Sequence, residues 1–384
     1  MPADAAPPAT HRFAADEVSI AGVRAVALRA PLAEPVRTSF GEMRDRPVVL
    51  VEVRGANGHV GIGEVWCNFP PVGAEHRARL ANETVGPALQ RLSPLPVTGV
   101  FFRLMEALHV LALQSGEWGP LRQVCAGIDI ACHDLAARRA GLPLYKYLGS
   151  DQTQVDVYAS GIGPAHVAAT ILRAKDLGYT KFKIKVGFGD ETDRASLEAA
   201  RSALFDGESL MIDANQGWNR QQSIDSGRRF ADYDLTWLEE PLPADAPAQD
   251  WHDVAQMIGI PLAAGENMNT LSEFNAAIGA RAFRFLQPDA AKWGGISGCM
   301  SVAQRVIAAG QTYCPHYLGG GVGLLASAHL LAAAGGDGWL EWDTNLNPWR
   351  EKLWRNPSIT NGVVGLPQAP GLGIDLDIAS LGEV

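Results

Sequence analysis

The sequence predicts an α/β fold, a (β/α)-barrel of eight parallel strands preceded by a smaller α+β domain. Three observations predict it. The chain has 384 residues, too many for one small domain and suited to a barrel plus a second unit. From about residue 153 onward, short apolar runs alternate with amphipathic stretches, the pattern of repeated strand–helix units. Before that point strands come first and helices after, which is the α+β order.

Residues from about 16 to 66 read as strands. Val18–Leu28 and Val48–Val53 are apolar and rich in β-branched side chains, and Gly58–Gly63 reads as a hairpin turn. Residues 31–47, PLAEPVRTSFGEMRDRP, are polar and irregular and are expected to form a mobile loop. Residues from about 74 to 148 read as helices. In VCAGIDIACHDLAARRAGLPLYKYLG, Ile128, Cys132 and Leu135 share one face, and Gly141 is expected to stop the helix.

The barrel strands are expected at VDVYA, FKIKV, LMIDA, TWLEE, PLAAGE, FRFLQPD, TYCPH and WLEW. Gly178, Gly207, Gly259, Gly279 and Gly310 stand where helix C-caps would precede the next strand. Eight such units close into a barrel more naturally than into an open sheet. The expected organisation is a disordered tail over 1–15, an N-terminal domain over 16–150, a barrel over 151–357, and a segment over 358–384 that packs back on the N-terminal domain.

Composition narrows the function. Hydrophobic residues make up 47% and charged residues 19%, enough for a large core, and the formal net charge is -10. That charge argues against nucleic acid or an anionic membrane surface as the main partner. No apolar run is long enough to span a membrane. The five cysteines, Cys67, Cys125, Cys132, Cys299 and Cys314, are scattered without CxxC spacing and are expected to be buried, reduced thiols of a cytoplasmic protein. The start, MPADAAPPAT, lacks the positive and apolar regions of a signal peptide.

The strand ends carry the chemistry. Lys183 and Lys185 end the second barrel strand, Asp213 the third, Glu239 the fourth, Glu266 the fifth, Asp289 the sixth, His316 the seventh and Glu341 the eighth. Barrel strands should be apolar, and their C-terminal ends form the active-site face of this fold. Asp213, Glu239 and Glu266 are 26 and 27 residues apart, one unit each. Three carboxylates at one mouth repel unless a cation lies between them, and hard oxygen ligands suit Mg²⁺, or Mn²⁺. The alternative is that each pairs with an Arg or Lys.

Lys183 and Lys185 are two apart on a strand, so both face one side, roughly 6.5–7 Å apart along the chain. Near each other and a metal, their pKa values should fall, and a neutral lysine is a usable base. Asp289 beside His316 would fix its tautomer and raise its basicity. Glu341 is expected as a protonated hydrogen-bond donor to an enolate oxygen, or else as the salt-bridge partner of a lysine. The run Gly319–Gly323 lacks a nucleotide-loop spacing and reads as a tight turn into a helix.

The set KIK (183–185), DAN (213–215), EEP (239–241), GEN (265–267), PDAAKWGG (288–295), PH (315–316) and WLEW (339–342) resembles the enolase superfamily, mandelate racemase subgroup. The helix AGIDIACHDLAARRAGLPLYKYLG is similar to the one that closes that family's capping domain. The resemblance implies a modified TIM barrel of (β/α)7β type under an N-terminal α+β capping domain. It implies Asp213, Glu239 and Glu266 as Mg²⁺ ligands, and Lys185 and Asp289-oriented His316 as acid/base groups on opposite faces of a substrate α-carbon. Lys183 and Glu341 would act on the carboxylate oxygens, with Asn215 near metal or substrate. A lid from the capping domain would bring Thr38, Phe40, Trp66 and Asn68 to the substrate.

The implied function is removal of the proton α to a carboxylate with enolate stabilisation, most readily in an acid-sugar dehydratase. A galactarolactone-type cycloisomerase or a racemase would use the same site. The implied partner is a small carboxylate, an acid sugar or its lactone, and the chain is expected to form a homo-oligomer. A competing arrangement uses Lys292, in DAAKWGG, as the second base opposite Lys185, as muconate lactonizing and dipeptide epimerase relatives do. A sugar-acid-binding barrel without catalysis would lack some of these groups, and none is missing.

Overall fold

The structure is a computed structural model and describes residues 16–37, 42–354 and 357–381. The expected tail over 1–15 and the lid residues Thr38 and Phe40 lie outside the described residues.

The capping domain is a three-stranded antiparallel sheet with helices on it. Its strands are β1 (Ile20–Arg37), β2 (Glu42–Gly55) and β3 (Val60–Val65). The long helix α1 (Trp118–Arg139) lies on β3. Contact is close because Gly61 and Gly63 carry no side chain there; a Cβ at either would collide with the carbonyl oxygen of Ala131 or Gly127. Gly141, at φ 68°, follows the end of α1 as expected.

The loop expected over 31–47 is corrected. Residues up to Arg37 and from Glu42 onward pair as strands, Arg37 opposite Glu42. A register shift between Pro31 and Val36 absorbs the extra residues of β1. The ribbon is polar because its interactions are ionic rather than apolar. Arg29 pairs with Asp45 at 3.0 Å and with Glu75 at 2.7 Å, and buried Arg46 pairs with Asp343 of the barrel at 2.7 Å.

The barrel strands are β4 (Gln154–Ile162), β5 (Lys181–Lys185), β6 (Ser209–Asp213), β7 (Leu235–Glu239), β8 (Leu262–Ala264), β9 (Phe283–Leu286), β10 (Thr312–Tyr313) and β11 (Leu340–Asp343). Parallel ladders join β4 through β10 in sequence order, and β11 returns to pair with β4. The chain then forms a hairpin, β12 (Ile359–Thr360) and β13 (Val363–Gly365), whose second strand runs antiparallel to β4. From there Leu372 N donates to Asp134 Oδ1 of α1 at 2.6 Å.

Two apolar layers follow from the period-2 alternation of the strands. Phe182, Ile184, Ile212, Leu238, Leu286 and Leu340 face outward to the helices and belong to the main core. Tyr158, Met211, Trp237, Ala263 and Cys314 form a separate buried plug inside the barrel. Continuing each strand by two residues from that plug brings Ser160, Asp213, Glu239 and the barrel mouth.

The helices between strands end as the glycines suggest at three of the five positions. Gly178, Gly259 and Gly310 have positive φ and directly follow a helix C-cap, whereas Gly207 lies in a turn three residues past the cap Leu204, and Gly279 lies inside the helix Leu271–Ala280. There the left-handed turn falls on Arg281, at φ 52°. All five cysteines are buried and free. Among the described residues, no single helix is long and apolar enough to cross a membrane.

Candidate active site

Strand placement explains which groups meet. Lys183 and Lys185 sit opposite Met211 and Asp213, so Lys183 lies one layer deeper, on the plug. Its ammonium stands 5.4 Å from the centre of the Tyr158 ring. Glu239 ends β7, register-paired with Asp213. Glu266, Asp289 and His316 lie two or three residues beyond their strands rather than at the last strand position. Glu341 is the second residue of β11, not its end, and Asp343 holds the tip.

The lysines are held by carboxylates. Lys183 Nζ is 2.5 Å from Glu239 Oε1, 2.7 Å from Glu341 Oε1 and 3.7 Å from Asp213 Oδ2. Lys185 Nζ is 2.6 Å from Asp213 Oδ2. The lowered lysine pKa values expected from crowding are therefore corrected. Burial does push the Lys183 ammonium down, but Glu239 and Glu341 outweigh it and hold its pKa well above the ordinary value. For Lys185, burial is likewise outweighed by Asp213, and the pKa is raised.

Glu341 is also corrected from the neutral donor expected. Burial favours its protonated form, but Lys183 and His316 pull its pKa below the usual carboxylate value. It accepts from Ser160 Oγ at 2.5 Å and from the Tyr317 N–H at 3.2 Å. It is the ion-pair partner of a buried lysine.

His316 lies on the far side of the mouth. Its Nδ1 is 3.0 Å from Asp289 Oδ2, and its Nε2 is 3.0 Å from Glu266 Oε2 and 3.7 Å from Glu341 Oε2. Burial lowers its pKa, but Glu266, Glu341 and Asp289 together push it up to about 10. Glu266 responds in the opposite direction: His316 and Lys292 overcome burial and hold its pKa far below normal. Lys292 Nζ contacts Asn267 Oδ1 at 2.6 Å and Glu266 Oε2 at 3.8 Å.

Asp213, Glu239 and Glu266 are each turned onto a cation, and among the described residues no three such side chains are grouped closely enough to hold a metal as they stand. The donor chemistry nonetheless fits a hard divalent ion. Asp213 and Glu239 occupy paired positions on adjacent strands, about 4.8 Å apart. Negative charge is in surplus. Among the described residues, five acids, Asp213, Glu239, Glu266, Asp289 and Glu341, form their ion pairs with four cations, Lys183, Lys185, Lys292 and His316. Glu239 shows it: burial, with Asp213 and Glu341 nearby, pushes its pKa up to about 7 despite Lys183.

Asn215, at φ 44°, supports Asp213 through its backbone N–H at 2.8 Å and its amide at 3.3 Å. From the capping domain, the Trp66 ring lies under Lys292, 4.9 Å from its Nζ, and the Trp66 N–H donates to Ala291 O at 3.1 Å. Asn68 is buried with its amide donating to Leu318 O at 2.5 Å, so that donor is engaged within the protein.

Sequence reasoning passed over several groups. Gln287 donates to Glu239 Oε2 at 2.7 Å, and Trp237 Nε1 donates to the same oxygen at 3.1 Å. Asn267 donates to both oxygens of Glu240 at 3.0 Å. Alternation was the available signal: Gln287 stands two residues before Asp289, and Ser160 two after Tyr158.

Comparison with known proteins agrees with this architecture. A model of the mandelate racemase/muconate lactonizing enzyme N-terminal domain matches residues 20–149, and an enolase C-terminal domain-like model matches residues 166–380. A D-galactarolactone cycloisomerase of Agrobacterium fabrum is 30% identical over 95% of this chain and 98% of its own. The crystal structure of a mandelate racemase/muconate lactonizing enzyme from Bordetella bronchiseptica RB50 is 46% identical, with a TM-score of 0.88 over 95% of this chain and 98% of that one. A mutant L-talarate/galactarate dehydratase, solved with Mg and L-glucarate, is 27% identical, with a TM-score of 0.81 over 97% and 93%. Fold and site define an enolase-type barrel enzyme. The chain belongs to the mandelate racemase/muconate lactonizing enzyme family of the enolase superfamily.

Proposed function

We propose that this enzyme removes the proton α to a substrate carboxylate, stabilises the enolate, and eliminates water from an acid sugar. The observation that carries the reading is the pairing of two basic groups at one mouth: Lys185 on Asp213, and His316 on Asp289. Asp213, Glu239 and Glu266 are the proposed ligands of Mg²⁺, with Mn²⁺ the other hard ion that suits them. The surplus of carboxylates supports a cation there, as does the dehydratase solved with Mg and L-glucarate. When bound, the cation stabilises negative charge on the substrate carboxylate oxygens as the enolate forms.

The chain's own groups do the rest. Asp213, which holds the Lys185 amine protonated, is one of the proposed metal ligands and would be drawn off it; Lys185, in its neutral form, then takes the α-proton on one face. His316, whose tautomer Asp289 fixes, gives a proton to the departing β-hydroxyl, so that water leaves. Lys183, locked on Glu239 and Glu341, sets a positive charge beneath the carboxylate oxygens. Trp66 and Asn68, together with Thr38 and Phe40, form the proposed lid side. A homo-oligomeric, cytoplasmic enzyme completes the reading, the latter supported by five unpaired buried thiols.

A second reading, cycloisomerisation of an aldarate-derived lactone, is supported by the alignment with D-galactarolactone cycloisomerase over nearly the whole of both chains. Incubation with Mg²⁺ and a panel of aldonates, aldarates and their lactones in D₂O tests both. Loss of the α-hydrogen and the β-hydroxyl, with solvent deuterium at the former β-carbon once the enol ketonises, followed by NMR, supports dehydration; ring opening or closure without loss of water selects the second reading. No loss of the α-hydrogen from any member overturns both.

A further inference from the structure

Glu64 is a buried acid of the capping domain that faces the barrel. It stands near the end of β3, 3% exposed, and among the described residues no Lys or Arg forms an ion pair with it. Its partners are neutral and more than 250 residues away in the chain. Oε1 accepts from the Tyr317 hydroxyl at 2.5 Å and from the Gly320 N–H at 2.6 Å; Oε2 accepts from the Gly323 N–H at 2.9 Å. The two glycine N–H groups open the barrel helix α2 (Gly321–Ala334), where a carboxylate is favoured by the unsatisfied donors.

The same contacts account for the glycine run at 319–323. A Cβ on Gly320 would stand 2.9 Å from Glu64 Oε2 and 3.0 Å from Oε1. A Cβ on Gly319 would stand 2.5 Å from the Tyr317 hydroxyl oxygen, and one on Gly323 would collide with it. The turn is glycine-rich because an acid and a phenol from either side lie directly on its backbone.

This matters because the turn begins at His316. Tyr317 donates its N–H to Glu341, the same carboxylate oxygen that lies 3.7 Å from His316 Nε2. Asn68 holds Leu318 O at 2.5 Å, and Asn347 donates to Gly319 O at 2.7 Å. The residues after the imidazole are thus fixed from both the cap and the barrel.

We propose that Glu64 is a positioning residue for the imidazole half of the site, so that the capping domain sets the acid/base geometry as well as covering the mouth. Its role in turnover rests on the proposed use of His316; its effect on the ring does not. Glutamine at 64 offers one acceptor oxygen where two are used, so it cannot satisfy Tyr317 with Gly320 and also Gly323.

Imidazole ¹⁵N NMR of the full chain tests this, with the His316 signals assigned by their loss in His316→Asn. Glu64→Gln, and Tyr317→Phe should the first fail to fold, are expected to move the His316 ring signals while those of His133, buried on α1, stay in place. Unmoved His316 signals in a folded variant overturn the proposal. With whichever acid sugar is turned over, Glu64→Gln is expected to lower kcat roughly 10- to 100-fold with little change in KM, and to add nothing in a His316→Asn background. Fully multiplicative losses in that double variant overturn it. Moved signals with an active His316→Asn enzyme would instead sink the function assigned to His316 and leave the positioning intact.

Discussion

His316 and Asp289 meet through a single hydrogen bond, Nδ1 to Oδ2 at 3.0 Å, while the other Asp289 oxygen accepts from the backbone N–H groups of Ala291 and Lys292 at 2.9 and 3.2 Å. The carboxylate is fixed by the backbone, and it fixes the ring. Asp289→Asn keeps an oxygen for the backbone donors and turns an amide nitrogen toward the imidazole. The ring then favours the wrong tautomer. We expect kcat to fall at least roughly 100-fold with the melting temperature nearly unchanged; an equal fall in both would make Asp289 merely structural.

The choice of second base is a sharper test. Lys292 stands within 3.8 Å of Glu266 but is occupied by Asn267 and capped by the Trp66 ring. His316 has its Nε2 directed at the mouth, on Glu266. His316→Asn should lower kcat by about 10²- to 10⁴-fold. Lys292→Met should act mainly on KM. Steady-state kinetics of both variants decide it, and a silent His316→Asn would reject the arrangement.

Metal dependence should itself depend on pH. In the metal-free protein, burial raises the pKa of Glu239 from 4.5 to about 7. The folded form then holds a proton that the unfolded form releases, so this stability is full below about pH 4.5. It is lost as pH rises through 7. His316, raised to about 10, acts in the same direction above about pH 6.5. The metal-free enzyme should melt lower at pH 8 than at pH 5.5. Mg²⁺ at one fixed concentration, 100 times its Kd at pH 8, should stabilise by about 2.7 kcal/mol there and by less at pH 5.5, where protons compete for Glu239. Equal shifts at both pH values in calorimetry, or none, would count against Glu239 as a ligand.

What the sequence disclosed, and what it withheld, follows from range. Charged residues at the ends of apolar runs are a local signal, so Lys185, Asp213, Glu239 and Glu266 stood out, and strand alternation put Lys183 on the same side as Lys185. Their ionisation was not local. It depends on how many carboxylates from other strands converge on each ammonium, which is why both lysine shifts came out opposite to expectation. The strands up to Arg37 and from Glu42 were misread because they are held by the ion pairs of Arg29 with Asp45 and Glu75 and of Arg46 with Asp343, partners that no apolar alternation signals. Glu64 was invisible for the same reason, its partners lying more than 250 residues further on.

The two lysines should separate cleanly on mutation. Lys183 is 1% exposed and neutralises Glu239 and Glu341 at once. Lys183→Met leaves those acids buried without their cation, which should cost about 3–5 kcal/mol of stability. Lys185 has a side chain 21% exposed and one close partner, Asp213. Lys185→Met leaves Asp213, whose side chain is 2% exposed, with Lys183 at 3.7 Å as its remaining cation, so it should cost less than Lys183→Met, about 1–3 kcal/mol. If Lys185 is the base, this folded variant should lose α-proton exchange by roughly 10³-fold or more. Denaturant unfolding and deuterium exchange on the same samples give both numbers; a Lys185 variant that is stable and still exchanges would remove the amine from the chemistry and leave the imidazole as the one base.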